Sequence, residues 1–312
     1  IWLDFFDREI MDSGRLQKMI EEDGINGVTS NPSIFEKAIS TGSDYDVDIT
    51  TLSQTKASNE SIFFNVALKD IKRAADLFKP VHTKSNGRDG FVSLEVSPHL
   101  AYDTEGTIKQ AAELWKAVDR RNVMIKIPAT KEDLPAIRKC ISEGININIT
   151  LLFGLQRYND VVDAYLSGLE DRVKENKPIG HIASVASFFL SRIDVMIDPQ
   201  LYEGLASLKG ETAIASAKKA YEIYQEVFSS ERFKKLASEN AKRQRLLWAS
   251  TSTKDATFSD VKYVEALIGP ETINTIPLET LQAFKHHGMA ENRLKDGLDN
   301  ASLVLTQLKE NK

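Results

Sequence analysis

Cysteine is almost absent from this sequence of 312 residues, since Cys140 is the only one. A single thiol excludes an intramolecular disulfide and is typical of a chain in a reducing compartment. Cys140 stands in the helical pattern LPAIRKCISEG, where we expect a small packed side chain rather than a nucleophile. The composition therefore indicates a cytoplasmic protein.

An excess of positive charge and long apolar runs are also missing. The formal net charge is -5, which gives no general attraction to nucleic acid or to an anionic membrane. No apolar run approaches the ~20 residues of a membrane span. The opening IWLDFFDREI carries Asp4 and Asp7 where a secretory signal would be basic, and it begins inside an apparent strand, so we expect native residues to precede it. We expect no nucleic-acid or membrane partner, and an anionic ligand must be bound by a local cluster.

The motifs of metal and nucleotide sites are absent as well. None of the histidines has metal-ligand spacing; they are His82, His99, His181, His286 and His287. There is no Gly-rich phosphate loop, so we predict neither a metal nor a nucleotide cofactor. One basic run, RFKKLASENAKRQR (232–245), is predicted to be a solvated helical face, although a basic helix could also bind an acidic partner.

The sequence does contain a regular alternation of short β-rich runs with amphipathic helical patterns. Strands are predicted at 1–6, 27–31, 91–97, 123–129, 147–153, 182–189, 246–250 and 272–277. This alternation favours a parallel sheet, either an open doubly wound sheet or a closed eight-stranded barrel. The gaps after the second and sixth strands leave room for extra helices, a pair at 57–78 and a set at 192–245. No linker interrupts the pattern, so we predict a single domain over 1–312.

Polar residues within or near the carboxyl ends of the predicted strands favour the barrel. They come from seven different strands, and they are Asp4, Asn31, Glu95, Lys126, Asn148, Thr150, Ser187 and Ser250. In a closed barrel these positions meet at one mouth, whereas in an open sheet they would be spread along an edge. We therefore predict an α/β fold, a (β/α)8 TIM barrel with extra helices.

One lysine stands inside the apolar run NVMIKIPAT (122–130). Lys126 is expected to neighbour Glu95, which lies on the preceding strand and shares a face with Ser93 and Ser97. A buried ion pair would account for both charges, but more polar groups gather here than one pair requires. Burial favours the neutral amine, which is the form that attacks a carbonyl carbon. Schiff-base chemistry is therefore the functional interpretation.

Four segments, taken together and in this order, resemble the transaldolase family of Schiff-base enzymes. They are GVTSNPSIF (27–35), SLEVSPHLAYDTEGTI (93–108), NVMIKIPAT and GININITLLF (144–153). The resemblance covers essentially the whole chain. The opening WLDFFDRE and the segment WASTSTKD (248–255) are more similar to the larger bacterial form, which is sometimes fused to a glucose-6-phosphate isomerase.

The resemblance implies a role for each matching residue. Lys126 would condense with the ketose carbonyl, and Glu95 would act as acid and base through a water molecule held by Thr150. Asp4 would take the proton of the C4 hydroxyl, although a strand-end cap would also explain it. Asn31 and Asn148 would bind substrate hydroxyls; for Asn31, the following proline also favours a turn.

The resemblance also implies a site for the sugar phosphate. Arg192 would bind the phosphate, since a guanidinium contacts two of its oxygens at once, and Ser187 would bind the C1 hydroxyl. Ser250 matches a phosphate-binding serine. Ser252 stands where smaller family members have an arginine, and Lys254 is a candidate to replace it. Without the motif match, a salt bridge on a helix surface would explain Arg192.

The implied activity is the transfer of a dihydroxyacetone unit between sugar phosphates, with the chain as a monomer or a homodimer. Two alternatives are a related Schiff-base aldolase that releases free dihydroxyacetone and an inactive barrel that serves as a binding protein. The inactive barrel would have lost a core group, whereas Asp4, Glu95, Lys126 and Thr150 are all present.

Overall fold

Eight parallel strands form a closed barrel in sequence order, with the last strand paired to the first. A computed structural model describes residues 1–311 of the chain. The strands are β1 (Trp2–Leu3), β2 (Gly27–Val28), β3 (Phe91–Glu95), β4 (Val123–Pro128), β5 (Ile147–Leu152), β6 (Ser184–Phe189), β7 (Arg245–Ala249) and β8 (Thr272–Ile276). Each overlaps a predicted strand, and the predicted (β/α)8 barrel is confirmed.

Helices follow the strands and surround the barrel. They are α1 (Arg8–Asp12), α2 (Arg15–Glu22), α3 (Pro32–Thr41), α4 (Asp46–Ser53), α5 (Asn59–Lys84), α6 (Thr104–Val118), α7 (Asp133–Ser142), α8 (Leu155–Lys174), α9 (Ser191–Ile197), α10 (Thr212–Val227), α11 (Glu231–Ser238), α12 (Lys262–Ala266), α13 (Leu278–His287) and α14 (Leu298–Glu310). The predicted set of helices at 192–245 is confirmed by α9, α10 and α11. Within residues 1–311, no helix is both long and apolar enough to cross a membrane.

The predicted helix pair at 57–78 is wrong. This region is one helix, α5, of 26 residues, and the extra helices α3 and α4 come before it. A continuous stripe of buried residues holds α5 together, namely Val66, Ala67, Asp70, Ile71, Ala74, Ala75 and Phe78. No glycine interrupts that stripe, so nothing in the sequence ends the helix there.

Alternation along each strand separates the interior of the barrel from its outer face. In β4, Val123, Ile125 and Ile127 belong to the core between the strands and the helices. Met124, two residues before Lys126, belongs to a separate cluster inside the barrel. Other strands repeat the arrangement, with an apolar side chain near the amino end and a polar one further along the same face: Trp2 and Asp4, Phe91 and Glu95, Val185 and Ser187, Ile273 and Thr275. Apolar side chains therefore fill the barrel toward the amino ends of the strands, and polar side chains line it toward the carboxyl ends.

Cys140 lies in α7 and is buried in the core outside the barrel. Burial raises the pKa of its thiol to about 12. A thiol of this kind stays protonated and unreactive at neutral pH. The prediction of a packed side chain is confirmed.

Candidate active site

A cavity of about 600 Å³ opens at the carboxyl ends of the strands. Nine of the ten predicted site residues line it, together with Ser252: Asp4, Asn31, Glu95, Lys126, Thr150, Ser187, Arg192, Ser250 and Lys254. The tenth, Asn148, is fully buried below the cavity. We call this cavity the mouth cavity. Strand ends that are far apart in sequence meet there, as predicted for a closed barrel.

Lys126 is held between two oxygen atoms in the floor of the mouth cavity. Its Nζ lies 3.0 Å from Glu95 Oε2 and 3.2 Å from the carbonyl oxygen of Ser30. The side chains of Lys126 and Glu95 are 8% and 13% exposed, respectively. Glu95 and Lys126 are direct partners in the β3–β4 register, which is why their side chains meet. The amine is buried, aimed at the cavity and next to a group that exchanges protons.

Thr150 lies where β5 departs from regular pairing with β6. The register shifts between Ile149 and Leu152, and Leu151 has a φ of 54°, which is unusual for a branched side chain. Thr150 Oγ1 is buried and has no hydrogen-bond partner among the protein atoms of residues 1–311. Buried hydroxyls are rarely left without a partner, so this one is available to a bound molecule.

Asp4 is positioned on the opposite side of the mouth cavity by two threonines. Thr29 Oγ1 donates to Asp4 Oδ1 at 2.8 Å, and it lies 2.7 Å from Thr275 Oγ1. Burial raises the pKa of Asp4 above its ordinary value, although the nearby Lys126 charge and the Thr29 hydrogen bond act in the opposite direction. The carboxylate is therefore a stronger base than a solvent-exposed aspartate.

The two predicted asparagines have different environments. Asn31 caps α3: its Oδ1 accepts from the Ile34 amide at 3.0 Å, and Pro32 takes the first helical position. Asn31 also lines the mouth cavity. Asn148 accepts from Ser187 Oγ at 2.6 Å and donates to Ser93 Oγ at 3.0 Å. Asn148 thus fixes Ser187 from below rather than lining the cavity.

Cations collect on one side of the mouth cavity. Arg192 is exposed, and its guanidinium carbon lies 5.2 Å from the centre of the Phe189 ring. No salt bridge to Arg192 occurs within residues 1–311, so the surface ion pair does not explain it. Ser250 Oγ lies 2.9 Å from Ser191 Oγ, which joins the end of β7 to the start of α9. Lys254 Nζ donates to Ser252 Oγ at 2.7 Å. The candidate to replace the missing arginine therefore lies next to Ser252, the residue that stands at the arginine position.

Several residues of the mouth cavity were missed by sequence reasoning. Thr29, Thr275, Lys37 and Glu279 line it, and the Ser30 carbonyl contacts Lys126. Strand alternation would have found Thr29, two residues before Asn31, and Thr275, two residues after the inward Ile273. Lys37 gave no such signal, because it reaches the cavity from the exposed surface of α3.

The fold and site together define a class: a (β/α)8 barrel enzyme with a buried lysine and two carboxylates at the carboxyl-terminal mouth. Comparison with known proteins makes the assignment specific. The family model for transaldolase/fructose-6-phosphate aldolase matches residues 1–312. The chain belongs to this family.

Individual relatives agree over nearly the whole chain. Transaldolase 2 of Nostoc sp. is 46% identical over 323 aligned residues, which cover 99% of this chain and 85% of the relative. The transaldolase of Saccharopolyspora erythraea is 50% identical over 289 residues, 92% of this chain and 78% of the relative. That of Thiobacillus denitrificans is 44% identical over 312 residues, 98% of this chain and 87% of the relative. The activity of the chain is accordingly that of a transaldolase, which is a transferase.

Proposed function

We propose that the chain transfers a dihydroxyacetone unit from a ketose phosphate to an aldose phosphate through a Schiff base on Lys126. The substrates would be sedoheptulose 7-phosphate and glyceraldehyde 3-phosphate, and the products erythrose 4-phosphate and fructose 6-phosphate. The observation that carries this proposal is the position of the Lys126 amine, buried in the floor of a polar cavity and 3.0 Å from Glu95.

The first stage forms the Schiff base. Lys126, after giving a proton to Glu95, attacks the C2 carbonyl carbon of the ketose and forms a carbinolamine. Glu95 then returns a proton to the C2 hydroxyl through a water molecule, and that hydroxyl leaves as water while the iminium forms. Thr150 supports this role for the water, since its buried Oγ1 is free to bind it.

The second stage breaks and remakes a carbon–carbon bond. Asp4 takes the proton of the C4 hydroxyl, the C3–C4 bond breaks, and its electron pair passes into the iminium to give an enamine. The aldose leaves, and the enamine attacks the aldehyde carbon of the acceptor, whose oxygen receives the proton from Asp4. Hydrolysis by the reverse of the first stage frees Lys126. Asp4 suits this task because burial raises the pKa of its carboxyl group.

The phosphate would be bound by Arg192, Ser250 and Lys254, with Lys37 as a further cation at the same mouth. Ser187, fixed by Asn148, would bind the C1 hydroxyl of the sugar. The Asn31 side-chain amide would bind a hydroxyl further along the sugar. Two lysines and an arginine supply enough positive charge for a dianion without the arginine that Ser252 replaces.

Arg192→Gln is expected to raise KM for fructose 6-phosphate by about tenfold or more, because it removes a charge-assisted hydrogen bond to the phosphate. Lys254→Gln is expected to have a smaller effect, and the combination of Lys254→Gln with Lys37→Gln to approach that of Arg192→Gln. Steady-state kinetics measure this, with free fructose as the matched substrate. An equal loss with fructose would show that these residues do not bind the phosphate.

Borohydride reduction in the presence of fructose 6-phosphate tests the covalent step. We expect a three-carbon adduct on Lys126, detected by mass mapping of peptides, since reduction traps the Schiff base. Lys131, which follows the same strand, is the internal control and should stay unlabelled. A label on another lysine, or none, would refute the proposal.

A Schiff-base aldolase that releases free dihydroxyacetone shares the family model but is not favoured, because the relatives are transaldolases. The two activities differ in whether water or the acceptor aldehyde reaches the enamine first. We further propose that residues 1–312 form a single domain, which the packing of α14 against α10 supports. A cytoplasmic location and a monomeric or homodimeric state stay predictions.

A further inference from the structure

A second cavity, of about 970 Å³, lies at the amino-terminal end of the barrel. Five of its lining residues lie in the segments that lead into the strands: Gly87 before β3, Arg121 before β4, Gly144 before β5, His181 before β6 and Lys242 before β7. The mouth cavity lies at the opposite end of the same strands. We call the second cavity the basal cavity; no step of the transaldolase reaction uses it.

Positive charge dominates the basal cavity. Its cationic lining residues are Lys116, Arg120, Arg121 and Lys242, and Asp119 is the one carboxylate among the lining residues. Arg120 is engaged elsewhere, since it forms two hydrogen bonds with Asp76. The three other cations face a single opposing charge. In a chain of net charge -5, this local excess of positive charge runs against the overall charge balance.

Lys242 lines the basal cavity and has a hydrogen-bond donor to spare. Its Nζ donates to the carbonyl oxygen of Gly87 at 2.9 Å and approaches that of Asn86 at 3.4 Å. An ammonium group has three donors, so at least one remains for a ligand. A Cβ placed on Gly87 would lie 2.8 Å from Lys242 Nζ and 3.3 Å from His82 Nε2. The two nitrogen atoms therefore lie close to the same point beside Gly87, where a φ of 68° already favours glycine.

Arg121 is the second anchor. Asn146 fixes its backbone by donating to the Arg121 carbonyl oxygen at 2.9 Å, whereas the guanidinium forms no hydrogen bond or salt bridge within the described chain. Burial is the largest cause of the lowered pKa of the His181 imidazole, and the charges of Arg172, Arg121 and Lys242 act in the same direction. Arg121, His181 and Lys242 all line the basal cavity, so their nitrogen groups border one volume.

We propose that the basal cavity binds a small molecule carrying two or more phosphate groups. Arg121 would contact two oxygens of one phosphate through its planar fork, and Lys242 would neutralise the next as a point charge. The volume is that of a site for a nucleotide-sized ligand, and half-buried Trp115 offers a flat apolar surface beside the cations. The prediction of one solvated helical face over 232–245 is wrong beyond Ser238, where α11 ends. Lys242, which lies beyond that end, would contribute to the basal cavity.

Calorimetric titration at low ionic strength tests the proposal. Pyrophosphate and ADP are the probes, and inorganic phosphate, which has a single phosphate group, is the comparison. We expect pyrophosphate to bind more tightly than phosphate. Lys242→Gln and Arg121→Gln should each weaken binding by about tenfold, the usual effect of removing one charged hydrogen bond. Lys309→Gln, an exposed lysine on α14, is the matched control and should change nothing.

Two further variants test whether the probes bind in the basal cavity rather than in the mouth cavity, and whether the organic group of ADP contributes to binding. Arg192→Gln should retain pyrophosphate binding, and Lys242→Gln and Arg121→Gln should retain transaldolase turnover. Trp115→Leu should weaken ADP but not pyrophosphate if the base packs there; equal binding of both probes would assign recognition to the phosphates alone. Loss of binding in Arg192→Gln, unchanged binding in both basal variants, or no binding to the wild-type chain would overturn the proposal whether or not Lys126 forms a Schiff base.

Discussion

Lys126→Ala is expected to lose turnover by a factor on the order of 10⁶, the scale seen when a covalent nucleophile is removed. The remaining groups of the mouth cavity would still bind the ketose phosphate, but no Schiff base would form to accept the electrons of the breaking bond. Turnover of fructose 6-phosphate with erythrose 4-phosphate measures the loss. Binding of the ketose, measured by titration, should persist.

The same variant separates catalysis from an ion pair that only stabilises the fold. Breaking a fully buried pair costs about 3–5 kcal/mol of unfolding free energy because one charge is left without a partner. Glu95 lines the mouth cavity and is 13% exposed, so solvent reaches it when the amine is gone, and we expect a smaller loss. Lys218→Ala is the matched control, because this lysine is 9% exposed and donates a hydrogen bond to the Asp296 carbonyl oxygen. Its replacement should lower the free energy of unfolding but leave turnover unchanged. Unfolding of Lys126→Ala with an active Lys218→Ala would favour the ion-pair explanation.

Much of the barrel could be predicted because strand alternation and strand ends are local properties of the sequence. Glu95 and Lys126 each lie on a strand with a clear inward face, and consecutive strands of a barrel are neighbours, so their contact followed from pattern alone. The family resemblance supplied the roles of Asp4 and Thr150, which no periodicity assigns.

Other parts of the site depend on packing that the sequence does not display. Asn148 lies on the predicted inward face, but its depth in the barrel, and hence its contact with Ser187 instead of the cavity, is set by strand tilt. Lys37 reaches the mouth from a helix, and its position depends on how α3 packs. The basal cavity is assembled from loops before five strands, so its positive charge is invisible until those loops are brought together.

Asp4→Asn is expected to lower kcat by about 10²–10⁴, the range for a general base. The asparagine oxygen still accepts from Thr29, so the site geometry should be kept, whereas the amide cannot take the C4 hydroxyl proton. Borohydride with fructose 6-phosphate should nevertheless label Lys126, because Schiff-base formation precedes the step that Asp4 serves. Loss of labelling together with loss of turnover would instead place Asp4 in substrate binding or in the first stage.

The pH profile tests the same assignment through the environment of Asp4. The base is the ionised form, so kcat should fall as the pH drops through the pKa of Asp4; burial raises that pKa, so the fall should begin above the ordinary range of a carboxyl group. Thr29→Val removes the hydrogen bond that stabilises the carboxylate and should move this acid limb to higher pH, while Thr29→Ser, which keeps the hydroxyl, should leave it in place. If the acid limb stays at the same pH in Thr29→Val, it reports the titration of another group, and Asp4 is not the base. The pKa of the titrating carboxyl group must change when its own hydrogen-bond donor is removed.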